Sequence, residues 1–72
     1  MAPGLMWNDA EDLAILLHER FPDVNPLTLR FTELHRRVCE LAEFADNPQT
    51  SSEGKLEAIQ MAWLDEFQAA ER

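Results

Sequence analysis

Three features of the sequence predict an all-α fold, a small domain of three helices. Apolar residues recur at three- and four-residue spacings in three separate stretches. No stretch sustains the period-2 alternation of a strand, and prolines or capping residues stand at the joints. The chain has 72 residues. At that length a single domain buries roughly 60% of its unfolded surface, which leaves little room for an internal catalytic cavity.

The first helix is predicted from Asn8 to Phe21. Asn8 stands as N-cap, Glu11 three residues on completes a capping-box pattern, and Asp9 and Asp12 suit the positive end of the dipole. Leu13, Leu16, Leu17 and Arg20–Phe21 form its inward stripe, and Pro22 ends it through its missing N–H. Asn25 followed by Pro26 is a cap-then-first-residue pattern and predicts a short helical turn from Pro26 to Leu29. A second helix is predicted to begin at Thr32, turn Leu34, Val38, Leu41 and Ala42 inward, and run to the stop at Asp46-Asn47-Pro48. Thr50 and Glu53 have capping-box spacing and open the third helix, whose inward residues are Leu56, Ile59, Trp63 and Phe67. Trp7 and Phe44 are expected to close the core. Within the single domain of residues 1–72, residues 1–6 are expected to form a flexible N-terminal arm and residues 68–72 a frayed tail.

Fourteen acidic side chains against six Lys and Arg give a net charge of -8 and a pI of about 4.4. Residues 1–39 hold six acids and four bases, and residues 40–72 eight acids and two bases, so the negative charge is concentrated in the second half. At 46% hydrophobic residues the chain is too apolar to be disordered. One cysteine excludes an internal disulfide framework and a four-cysteine zinc site. The longest apolar run, Leu13 to Leu17, is far short of a bilayer span. The opening Met-Ala-Pro-Gly-Leu-Met-Trp lacks the basic and apolar regions of an export signal, so a cytoplasmic monomer without membrane attachment is expected.

His35 and Cys39 are four residues apart and share a helix face, which is the spacing of a nucleophile beside a base or of two metal ligands. Nothing in the sequence supplies an oxyanion hole, a third orienting group or the remaining zinc ligands, so a half-buried structural thiol is expected and no enzyme. Arg30, Arg36 and Arg37 cluster around the second helix and raise the alternative of a helix-turn-helix nucleic-acid binder or a generic interaction domain. Glu33 and Glu40 interrupt them, and a net charge of -8 opposes binding that relies on displacing phosphate counterions. The carboxylates carry more information. Asp9/Asp12, Glu40/Glu43, Glu43/Asp46 and Glu53/Glu57 have the spacing of like-charge helix neighbours, which destabilise an isolated helix by roughly 0.2–0.5 kcal/mol each. Glu11, Asp65 and Glu66 add to the surface. On the predicted second helix Glu40, Glu43 and Asp46 lie at the wrong end for the dipole. Solubility is one use for such charge; a basic partner or a hard cation held by oxygen ligands is the other.

Four blocks of this chain resemble the IscX family, small acidic proteins associated with iron–sulfur cluster assembly. They are Trp7-Asn8-Asp9, the run from Phe21 through Asn25-Pro26-Leu27-Thr28 to His35, the segment Asn47 to Glu53, and Leu56-Glu57-Ala58-Ile59 with Trp63-Leu64-Asp65-Glu66. The resemblance runs from about Leu5 to Glu66. The resemblance implies a winged-helix-like arrangement that does not act on DNA. It also implies an adaptor that binds the cysteine desulfurase through its acidic face, in competition with bacterial frataxin, and tunes its activity. Asp9, Asp12, Glu40, Glu43, Asp46, Glu53 and Glu57 would then attract the partner. The same implication makes Glu40, Glu43, Asp46, Asp9 and Asp12 the ligands of weakly bound iron, with no tightly bound cofactor. Ala42, Ala45 and Asn47 stand where relatives can carry carboxylates, and Arg37 where they can carry an aromatic residue, which thins the iron site more than the adaptor surface.

Overall fold

The computed structural model describes residues 4–70. Three α-helices carry the fold: α1 (Ala10–Arg20), α2 (Phe31–Cys39) and α3 (Glu53–Ala70). A single turn of 3-10 helix precedes each of the last two, at Pro26–Thr28 and Pro48–Thr50. α1 packs along α3, and α2 closes across both. The all-α class is as the periodicity predicts.

Each helix start has a local cause, and two differ from the expected caps. Asp9, not Asn8, is the N-cap of α1, and its carboxylate points backwards to accept the Met6 N–H at 2.8 Å. The Asn8–Glu11 capping box therefore does not form. The α3 cap is Ser52, whose Oγ accepts the Lys55 N–H at 3.2 Å. Thr50 is instead part of the preceding 3-10 turn, where its hydroxyl donates to the Asn47 carbonyl at 2.9 Å.

The two 3-10 turns are built alike, on Asn25-Pro26-Leu27-Thr28 and Asn47-Pro48-Gln49-Thr50. In each, the Asn side chain accepts the N–H two residues on (3.0 and 2.9 Å), and the Thr hydroxyl returns to the Asn carbonyl (2.7 and 2.9 Å). These are Asx turns locked by a proline at the first helical position. A helix side chain then grips each proline carbonyl. Gln60 Nε2 donates to Pro26 at 3.1 Å, and His35 Nε2 donates to Pro48 at 2.6 Å.

The largest departure from expectation is the end of α2. The predicted helix runs to Asp46; the observed one stops at Cys39, with Glu40 as C-cap. Leu41 still turns into the core, but Ala42 is exposed. Beyond it the chain extends and pairs with the N-terminal segment through a parallel bridge between Leu5 and Phe44. Leu5 N–H donates to Glu43 O at 2.7 Å, and Ala45 N–H donates to Leu5 O at 2.9 Å. Residues 4–6 of the expected arm are thus tied to the body, while residues 1–3 lie outside the described residues, as do 71 and 72 of the expected tail. A Cβ at Gly4 would collide with Ala45, so only glycine allows this approach. The bridge is the β-pairing present among the described residues, and they contain no hairpin wing.

The core joins Trp7, α1 residues Leu13, Ala14 and Leu17, Leu34 and Val38 of α2, and Leu56, Ile59 and Trp63 of α3. Trp7 is 1% exposed and meets Phe44 edge-on, ring centroids 4.7 Å apart, which closes the core as expected. Leu64 is buried while Phe67 is only half-buried, so the inward stripe of α3 is carried by Leu64 where Phe67 was expected.

Candidate functional site

The carboxylates divide by what their oxygens already do. Asp46 accepts the Trp7 N–H at 3.0 Å on one oxygen and the Asn47 N–H at 2.7 Å on the other. Those two backbone donors hold its carboxyl below the ordinary Asp value, because they stabilise the charged form. Glu43 pairs with Arg20 of α1 at 3.2 Å. Asp9 is turned onto Met6. Asp12, Glu40, Glu53 and Glu57 are exposed and form no ion pair among the described residues.

This sorting changes the argument from helix ends. Glu43 and Asp46 are not on α2, so Glu40/Glu43 and Glu43/Asp46 are not helical like-charge pairs. Asp46 is a structural clamp between the N-terminal segment and the Asn47 turn, and Glu43 balances Arg20. Among the described residues no three His, Cys, Asp or Glu side chains converge as a metal cage. Asp9, Asp12, Glu40, Glu43 and Asp46 therefore offer hard oxygen donors singly.

His35 and Cys39 do come together, as the spacing implies. The Pro48 carbonyl can only accept, so His35 carries its proton on Nε2, and Nδ1 faces Cys39 Sγ at 3.8 Å as the acceptor of the thiol proton. The ring also stacks on Trp7 at 5.2 Å. Burial, then the charge of Glu40, pushes the half-buried Cys39 thiol up from its ordinary pKa, opposite to the shift that activates a nucleophile. The pair reads as packing.

The arginines do not form a free cationic stripe. Arg37 lies over the Phe21 ring, its guanidinium carbon 4.5 Å from the centroid, and only Arg30 and Arg36 are fully exposed around α2. No helix among the described residues is long and apolar enough to cross a membrane.

A family model described as iron–sulphur cluster assembly matches residues 5–68. The chain belongs to this family, the IscX family. An uncharacterised protein of Pseudomonas aeruginosa is 50% identical over 63 residues, covering 88% of this chain and 96% of that one. The matched span begins at the residue bridged to Phe44 and ends in the last turns of α3, so it takes in every element of the fold. For this IscX-family chain, the family match indicates involvement in iron–sulphur cluster assembly.

Sequence reasoning missed the clamp at Asp46. Its legible trace is Asp46-Asn47-Pro48, read as a helix stop and a free surface carboxylate, although an Asp before an Asx turn is well placed to accept backbone donors. It also gave little weight to Glu11, Asp65 and Glu66. All three are exposed, and among the described residues none forms an ion pair.

Proposed function

We propose that this IscX-family protein is an adaptor of iron–sulphur cluster assembly that binds the cysteine desulfurase through its acidic surface and tunes its activity. The observation that carries the reading is the imbalance of paired and unpaired charge. Against a net charge of -8, the described residues form one side-chain ion pair, Arg20–Glu43. Exposed carboxylates left without cations project a negative field that steers a basic protein surface into contact and repels nucleic acid and anionic lipid. The family match supports the assembly context, and the charge supports the sign of the partner.

Steering of this kind is screened once charges lie beyond a Debye length of ~8–10 Å at physiological salt. Titration of the desulfurase should give association rates that fall steeply between low and high ionic strength, with a smaller change in dissociation rate. Binding indifferent to salt would remove the electrostatic mechanism, and no binding at all would remove the partner. Competition with bacterial frataxin follows from the same reading, since two acidic proteins would seek one basic surface.

Iron is a second-order part of the proposal. With no convergent set of three donors among the described residues, Fe²⁺ would meet one or two carboxylates at a time and bind weakly. Amide shifts on Fe²⁺ titration should localise to Asp12, Glu40 and the other exposed carboxylates; uniform or absent shifts would reject it.

A further inference from the structure

Acidic residues and exposed apolar residues coincide at one place on the molecule. Early α1 lies beside late α3, and between them runs a surface groove of about 240 Å³ lined by Glu11 and Ile15 from one helix and Ala62, Asp65 and Glu66 from the other. Ile15 is 42% exposed although it sits in the middle of a helix whose other large apolar residues turn inward. Glu11 stands one turn before it on the same face, and Asp65 and Glu66 stand three and four residues after Ala62. The result is an apolar floor with a rim of three carboxylates and, among the described residues that line it, no cation.

Local stability does not explain this arrangement. Asp65 and Glu66 stand in the C-terminal half of α3, whose last turn holds no base among the described residues. An exposed Ile gains nothing from water, and an isoleucine-to-lysine change at such a position would not cost helix propensity. Met61, 48% exposed, also lies within about a turn of Glu57 and Asp65 on α3, but the lining of this groove does not include it. Leu27 is 57% exposed, and the groove of Phe31, Thr32, His35 and Leu56 has no ionic rim.

We infer that the α1–α3 groove is the seat of the partner, receiving an apolar side chain flanked by Lys or Arg residues on a segment of the basic protein. This rests on the desulfurase reading and deepens it by placing the contact. Charge complementarity selects the occupant. A second copy of this chain would bring another net charge of -8, and phosphate-bearing surfaces would meet the same three carboxylates. Only a cationic segment gains from the rim, and only one with an apolar side chain gains from Ile15. The rim sets orientation and encounter, and the floor sets residence time.

Ile15→Asp separates this from attraction alone. The substitution removes the apolar floor and adds negative charge, so pure electrostatic docking predicts binding equal to or tighter than wild type. The groove predicts affinity for the full desulfurase about tenfold weaker or more, expressed as faster dissociation. Asp65→Asn with Glu66→Gln should instead slow association and flatten its salt dependence. Wild-type amide shifts on adding desulfurase provide a readout that needs no variant, and they should centre on residues 11, 15, 62, 65 and 66. Desulfurase binding that survives Ile15→Asp, or shifts centred elsewhere, overturns the groove and leaves the partner standing. Wild-type protein that does not bind desulfurase overturns both.

Discussion

Asp46 accepts two backbone N–H groups from segments that meet only in the folded chain, and this fixes how it responds to acid. Its carboxyl is held below 3.8 when folded, so its contribution to stability is complete above that value and is lost as pH falls through the lower, folded value. Asp46→Asn should therefore lower the urea midpoint at neutral pH, and the two midpoints should converge as the solution is acidified below about pH 4. Parallel curves with no convergence would mean the clamp does not depend on charge. Cys39 gives a prediction of the opposite sense. Because burial and Glu40 raise its pKa, native protein at pH 7–8 should react with a small alkylating agent more slowly than denatured protein. The sequence had both residues in view but read Asp46 as surface charge, since a carboxylate's acceptors are visible in sequence and its donors, 39 residues away for Trp7, are not.

At the scale of elements, boundaries set by neighbouring residues were more legible than boundaries set by distant contacts. Asn25-Pro26 and the stop at Pro22 act within a few residues, and the structure has the expected turn and the expected end of α1. The end of α2 is decided elsewhere. No proline or glycine lies between Cys39 and Asn47, and local propensity would let the helix run on. Pairing of Leu5 with Phe44 and the packing of Phe44 on Trp7 draw that segment out of helical geometry. Caps misread by one or two residues have a similar cause: Thr50 and Ser52 both offer a hydroxyl, and the Asn47 turn takes the first. Ser52→Ala should destabilise the protein by about 1 kcal/mol in thermal or urea melts. Thr50→Ala should act more weakly, since its hydroxyl serves an exposed single turn. The reverse order would restore Thr50 as the cap.

On the scale of the whole molecule, a chain this small has little stability to lose. Typical values per residue imply a total of roughly 4–11 kcal/mol. Trp63 is fully buried beside Phe21 and joins α3 to the first loop. Trp63→Ala should remove about 3–5 kcal/mol, a large share of that total, read as a marked fall in the melting temperature followed by helical circular dichroism. The same smallness explains why function falls to the outside. Among the described residues eleven hydrophobic side chains are buried and no polar or charged residue is, so the chemistry available is the charge pattern on the surface. Its sign was plain in the sequence. Which carboxylates are free was not, because Asp9, Glu43 and Asp46 look no different in sequence from Asp12, Glu40 or Asp65 until their partners are placed.

The bridge between Leu5 and Phe44 also bears on the order of folding. It closes a loop of nearly forty residues, and the Trp7 contacts beside it span 39 and 40 positions along the chain. Such a closure loses chain entropy before it returns any contact, and its receiving surface, Phe44 and His35 around the Trp7 ring, exists only once α2 is packed. The N-terminal segment is then the last part to dock and the first to leave. Gly4→Ala, which drives a methyl group into Ala45, should speed unfolding about tenfold and leave the refolding arm of the chevron where it was. Residues 4–7 act as a latch on a body already assembled.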